Sequence, residues 1–229
     1  MSLAERYASV RERIGNAAQV AGRNPDEIEL IVVTKMHPVD LVIDLYELGH
    51  RAFGENKDQE AAPKARLLAE SGRTSASWHF VGQLQSNKVK SVIQYADTIH
   101  SIDRPSLVNE LNKQLAKQEQ TIQGFLELNL TGEPHRGGVM PEALQQLAES
   151  VLQAGRIKIL GVMAVAGLGV DPRVDFEKAL LASAELQQIA PEAKQLSLGM
   201  SEDFEAAIAM GATHVRIGSA ITGPRPLSA

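Results

Sequence analysis

The chain has 229 residues, is 44% hydrophobic, and carries 23 basic against 28 acidic side chains for a formal net charge of −5. That length holds one large domain or two small ones, and the absence of a basic block excludes nucleic acid and anionic membrane as main partners. Zero cysteines exclude disulfides, thiolate metal sites and a cysteine nucleophile together.

The start, MSLAERYASVRERI, is charged and amphipathic, unlike a secretory signal. No run approaches the ~20 apolar residues of a membrane span. The expectation is a cytoplasmic protein that meets no membrane. Leu3, Ala4, Tyr7, Val10, Ile14, Ala17 and Ala18 recur at helical spacing and predict a helix over 3–22, stopped by Gly22.

A regular alternation follows. Strand-like apolar runs fall at 28–35, 51–56, 78–83, 97–103, 124–130, 157–165, 195–200 and 214–221. Helical patterns lie between them at 39–48, 57–71, 85–95, 105–119, 141–154, 173–189 and 202–210. Several close on glycine, as helix ends commonly do: Gly49, Gly72, Gly155 and Gly211. Eight strands separated by helices predict an α/β chain folded as a single-domain (β/α)8 TIM-like barrel over 1–229, with an extra N-terminal helix. That helix is expected to plug or flank the barrel bottom. The near-continuous hydrophobicity of IELIVV and IKILGVMAV suits strands buried on both faces.

In such a barrel, sites are built at the C-terminal ends of the strands. Strand 1, LIVVTKMHP, delivers Lys35 there. Strand 7 ends in Gly199-Met200-Ser201, and Ser201 is placed to cap the helix that follows. Strand 8 ends in Arg216-Ile217-Gly218-Ser219, and Gly218-Ser219 can open a short extra helix. The loops after strands 7 and 8 with such a helix form the recurrent phosphate cradle of this fold. Arg216 cannot stay dry and alone, so it either pairs with Glu55 or Asp103 or offers its donors to a ligand. An amine, a phosphate cradle and an arginine suit a phosphorylated aldehyde or ketone held as a Schiff base. Two ligand classes fit: pyridoxal 5′-phosphate (PLP), or a sugar phosphate in a lysine-dependent aldolase, although no proton shuttle for the latter is evident.

The segments VVTKMHP, FGENKDQE, WHFVGQLQSNKVK, IHSIDR, GVMAVAGLG, LSLGMSEDFEAAI and ATHVRIGSAITGPRP occur in order over nearly the whole chain. Together they closely resemble the YggS/PROSC-type PLP homeostasis proteins, single-domain barrels similar to the N-terminal domain of alanine racemase. The resemblance implies that Lys35 forms the Schiff base with PLP and that Asn56 lines the cofactor pocket. It implies that Met200, Ser201, Gly218 and Ser219 surround the phosphate, and that Arg216 faces the pyridine nitrogen. His79, Ser86 and Asn87 match family motifs without an assigned role, and His79 reads as a satisfied core histidine. Met36-His37 replaces the more usual Thr-Lys, Lys57-Asp58 replaces Tyr-Val, and Ser219 stands where threonine is frequent.

An arginine beside the pyridine nitrogen leaves the ring a weaker electron sink than a carboxylate would. A two-base racemase also needs a second base, and Tyr7, Tyr46 and Tyr95 all fall on predicted helices, while no second domain is expected to supply another. The expected function is a non-catalytic carrier that buffers intracellular PLP, with PLP-dependent apo-enzymes as recipients, no metal, and a monomeric state. The alternative is a weak PLP-dependent racemase or β-eliminase. The run EPHRGG (133–138) reads as a loop after strand 5.

Overall fold

Residues 1–133 and 135–224 are described by a computed structural model. In chain order they form α1 (Leu3–Val20), β1 (Glu29–Val33), α2 (Val39–Glu47), β2 (Ala52–Glu55), α3 (Asp58–Glu70) and β3 (Ser77–Phe80). Then come α4 (Val89–Val92), β4 (Thr98–Ile102), α5 (Pro105–Lys117), β5 (Ile122–Leu128), α6 (Leu144–Ala154) and β6 (Ile157–Ala164). The last third is α7 (Pro172–Ile189), β7 (Gln195–Ser197), α8 (Phe204–Ala209), β8 (His214–Ile217) and α9 (Ser219–Thr222).

Each strand pairs in parallel with the next, and β8 returns to β1 with Ile31 opposite Arg216 and Val32 opposite Ile217. The strands therefore close into the expected (β/α)8 barrel. Parallel strands need long crossovers, which the intervening helices supply, and a strand under such a helix is apolar on its outer face. Phe53, Leu45, Leu68, Leu107, Leu111, Phe176 and Phe204 fill that strand–helix layer and are fully buried. A separate small cluster, Phe125, Leu160 and Met163, is set apart from it. Phe125 stacks on His100 at 4.6 Å and meets His214 edge-on at 5.0 Å, so it packs among the polar rings of the lumen.

Three local expectations are corrected. The segment expected as a helix over 85–95 is a 3₁₀ turn, Ser86–Lys88, followed by the single turn of α4. Only Val89, Val92, Ile93 and Ala96 are buried there, one turn's worth of apolar surface. Ser201 does not cap α8, which begins at Phe204 behind Asp203, whose Oδ1 accepts the Met200 amide at 2.6 Å. Finally, of the two placements expected for α1, plugging or flanking the barrel bottom, the plug is excluded. The helix packs on the outside against α8 and α9, where Arg6 Nε donates to Ile221 O at 2.7 Å and Arg23 Nη1 donates to Ile208 O and Ala212 O at 3.0 and 2.8 Å. The helix after β8 is a single turn, and α1 covers the wall it leaves bare.

Candidate functional site

At the C-terminal mouth of the barrel lies a cavity of about 680 Å³. Lys35, Asn56, Met200, Ser201, Arg216, Gly218 and Ser219, all singled out from the sequence, line it together. Val33, His37, Gly82, Glu127, Met163 and the 165–170 loop complete much of the wall.

Lys35 lies two residues beyond the end of β1 and is half-buried. The backbone on either side of it is gripped by α3. Lys64 Nζ donates to Thr34 O at 3.0 Å, and Glu60 Oε2 accepts the Met36 amide at 2.6 Å. Lys64 is buried and also donates to Glu55 Oε1 at 2.6 Å, an oxygen that accepts the Thr34 hydroxyl at 2.7 Å as well. Burial raises the pKa of Glu55 and the Lys64 charge opposes the rise. Met36 sits at φ 63°, a left-handed conformation that a side chain rarely adopts without outside restraint. The amide and carbonyl bonds to α3 are that restraint, and they fix where the Lys35 stem leaves the strand.

Arg216 takes neither of the ion pairs expected for it. Glu55 is committed to Lys64 and Thr34, and Asp103 accepts from Arg104 Nη1 at 2.5 Å. The Arg216 guanidinium instead donates from Nη1 to Ser197 O and Ser197 Oγ, both at 2.6 Å, and from Nη2 to Ala164 O at 3.0 Å. Burial pulls its pKa down to about 10, against the charges of Glu127 and Asp203. It is thus a cation held by carbonyls and a hydroxyl on the cavity wall.

The loops after β7 and β8 meet at that wall. The Ser219 hydroxyl lies 3.4 Å from Ser201 Oγ, which also receives the Ala220 amide at 3.4 Å. Two hydroxyls, the start of α9 and a glycine before it form the small, donor-rich corner that an anion needs. Asn56 Oδ1 is buried with no hydrogen-bond partner among the described residues. A buried amide oxygen left bare is costly unless a ligand group meets it. The residues present therefore fit a ligand that carries an aldehyde, a phosphate and polar ring substituents.

Glu127 was not singled out from the sequence. It stands in β5, diametrically across the barrel from β1, and its Oε2 is buried with no partner among the described residues. Burial, then repulsion from Asp103, pushes its pKa up to about 7, while Arg216 and Arg104 oppose the rise. A charged residue inside the apolar run GFLELNL is the same signal that drew attention to Arg216. It was available and lay one turn of alternation inside the strand end.

Residues 7–226 match the alanine racemase N-terminal domain family. The chain belongs to that family. Its relatives within it include a pyridoxal phosphate homeostasis protein of Escherichia coli strain K12, 38% identical over 229 residues with 99% of this chain and 98% of the relative covered. A second, from Mycobacterium leprae, is 39% identical over 235 residues, covering 96% and 91%. Among solved structures, PipY of Synechococcus elongatus, determined with and without PLP, is 33% identical at a TM-score of 0.85, covering 97% of this chain and 100% of that one. An alanine racemase of Corynebacterium glutamicum shares the fold, with a TM-score of 0.71 at 16% identity over 96% of this chain and 62% of that one. The resemblance read from the motifs is the family found.

Elsewhere, the expectations are met in part. His79 is buried and fully engaged, with Nδ1 3.0 Å from His100 Nε2. Asn87 borders a different, outer groove with Lys88, Lys90 and Lys117. The loop after β5 is organised by Asn129, whose Nδ2 donates to Glu133 O at 2.9 Å while Oδ1 accepts the amides of Thr131 and Gly132; Pro134 lies outside the described residues. No described helix is long and apolar enough to cross a membrane.

Proposed function

We propose that this protein holds pyridoxal 5′-phosphate reversibly and serves as a cytoplasmic, monomeric carrier and buffer of that cofactor, without robust catalysis of its own. The single observation that carries the reading is one cavity lined by the Lys35 amine, the Arg216 guanidinium and the Ser201–Ser219 hydroxyl pair. The relatives' name and the PLP-bound PipY structure support it. When bound, the cofactor supplies an aldehyde that condenses with the Lys35 amine, releasing water, and that water reverses the bond.

The chain's own residues do the rest. Glu60 and Lys64 hold the backbone so that Lys35 reaches the cavity. Ser201, Ser219 and Gly218 receive the phosphate, with Met200 beside them on the cavity wall. Asn56 meets a polar edge of the ring, and Arg216 donates to a ring acceptor. The mouth is rimmed by Leu168, Val170 and Met200, all exposed, which leaves a bound cofactor within reach of a recipient apo-enzyme.

The test is an absorbance spectrum of the protein with PLP, then borohydride reduction and peptide mapping. A yellow band that borohydride bleaches, with the reduced adduct mapped to Lys35 and both absent in Lys35→Ala, is expected. A colourless protein with no adduct would sink the reading and bring the sugar-phosphate alternative forward.

A second reading is favoured by Glu127, a carboxyl across the barrel from Lys35 whose buried Oε2 has no partner among the described residues and whose pKa is pushed up to about 7. It gives the cavity a second acid–base group, which a weak racemase or β-eliminase would need. Deuterium from solvent washing into the α-position of alanine or serine, and lost in both Lys35→Ala and Glu127→Gln, would decide for that reading.

A further inference from the structure

Beneath the cavity, the lumen holds polar and titratable side chains that the carrier function does not use. His79 comes from β3, His100 from β4, Ser197 from β7, His214 from β8 and Glu29 from β1. Four of the five are buried, Glu29 at the opposite mouth being exposed. They are joined by short contacts that start at Arg216. Nη1 of Arg216 lies 2.6 Å from Ser197 Oγ, Ser197 Oγ lies 2.9 Å from His100 Nδ1, and His100 Nε2 lies 3.0 Å from His79 Nδ1. His79 Nε2 then lies 3.4 Å from Ser77 Oγ and 3.7 Å from Glu29 Oε1. Glu29 Oε2 is also 2.9 Å from His214 Nε2.

We propose that Ser197, His100 and His79 are positioning residues for Arg216, forming a one-way hydrogen-bond chain in which every link donates away from the cavity and towards the Glu29 carboxylate.

The direction follows from donor chemistry. A guanidinium donates and never accepts. Ser197 Oγ therefore accepts from Arg216, and its own hydrogen goes to the other group it meets, His100 Nδ1. Burial, then the charges of His79, Arg216 and His214, push the pKa of His100 well below the usual imidazole value, so its ring is neutral. A neutral imidazole that accepts at Nδ1 carries its hydrogen on Nε2 and donates it to His79 Nδ1. The same rule places the His79 hydrogen on Nε2, facing Ser77 and Glu29. Burial holds the pKa of His79 down to about 4, with the Glu29 and Asp97 charges opposing and that of His214 reinforcing.

Each link polarises the next in the same sense, and the chain approaches an anion at its far end. This accounts for a buried guanidinium with no carboxylate in ion-pair contact among the described residues. It cannot be a proton conduit to the cavity, because its upper end is an arginine that does not give up its proton. Its effect is to lock the guanidinium plane and to keep that wall of the cavity donor-only, so that a ligand atom meeting Arg216 must be an acceptor.

The role towards a bound ring rests on the proposed cofactor reading; the hydrogen placement does not. The test is ¹⁵N NMR of the histidine side chains near neutral pH, in the full chain without PLP, followed by PLP titrations. Both His100 and His79 are expected neutral with hydrogen on Nε2. In Ser197→Ala, His100 should lose its single tautomer, and PLP affinity should fall about fivefold, the size of one lost hydrogen bond. Ser197→Thr restores the hydroxyl and should restore both readouts. Hydrogen on Nδ1 of either ring, a charged ring, or an unchanged tautomer and affinity in Ser197→Ala would overturn the proposal. If Ser197→Ala does not fold, the wild-type tautomers alone decide the direction of the chain. A wild-type protein that takes up no PLP sinks the cofactor reading, and the tautomers still decide the chain.

Discussion

The outside and the inside of this barrel wall are built on different rules. Outside, Phe53, Leu45, Leu68, Leu107, Phe176 and Phe204 pack strand against helix in a mainly apolar layer. Inside, the same strands present Glu127, Ser197, His79, His100, His214 and Arg216 around one small apolar cluster. The outer layer draws its stability from area removed from water, at about 25 cal/mol per Å². The lumen has little such area to gain, and each polar group in it costs stability unless its bonds are made. One surface holds the barrel closed, and the other sets what the cavity can bind.

That contrast is broken most severely by a cavity in the outer layer. Phe53→Ala should cost about 3–5 kcal/mol in urea unfolding, while the molecules that remain folded still trap PLP on Lys35. If the folded fraction lost its adduct, the two layers would not be separable. Next in size is the junction where they touch. Lys64→Met leaves Glu55 buried without its cation and should cost roughly 3 kcal/mol. Replacing both, as Lys64→Met with Glu55→Leu, should recover most of that loss. A double variant as unstable as the single would mean that the Thr34 carbonyl, not the carboxylate, is what Lys64 serves.

The lumen can be probed by pH, and its groups pull in opposite directions. His79 in the lumen, and His50 outside it against Tyr7 and Phe53, are held down to about 4 by burial, so the unfolded chain binds protons that the native state refuses as pH falls from 6.5 towards 4. Stability is lost in that window, by roughly 3 kcal/mol for each ring at most. Glu127, raised by burial to about 7, binds its proton in the native state first, so it returns stability as pH falls from 7 towards 4.5. Glu127→Gln should therefore stabilise the protein by about 2 kcal/mol above pH ~7. That gain should vanish below pH ~4.5, where both forms are neutral. The variant should also show a steeper acid loss than the wild type. Parallel curves of stability against pH for the two proteins would mean that Glu127 is an ordinary solvated carboxylate.

The same contrast explains what could be read from the chain. All eight strands were legible because burial on two faces writes continuous apolar runs, as in IELIVV and IKILGVMAV, and glycine marks the helix ends. The cavity residues were legible where they end strands, which is why Lys35 and Ser219 fell on one wall with Arg216. The histidine chain was not. His79, His100 and Ser197 come from separate strands and share no local spacing; they meet only because the closed register brings their strands round one axis. Ser201 misled for a local reason: the Asp203 carboxylate takes the Met200 amide, and α8 starts two residues later than a serine cap would place it.

The mildest way to sharpen the comparison lies where the outer layer reaches the cavity rim. Arg6, on α1, donates to Ile221 O at 2.7 Å and to Thr222 O at 3.3 Å. Those carbonyls end α9, and Thr222 and Gly223 line the cavity. Arg6→Met keeps the apolar stem of the side chain and removes the charged donor, so it should cost about 1 kcal/mol of stability. If the rim is held from outside, PLP release from the variant should also quicken, by roughly twofold, since a rim change of a few tenths of a kcal/mol acts on the off-rate. If stability falls and the release rate stays put, α1 serves the wall alone, and the cavity is set entirely from within the lumen.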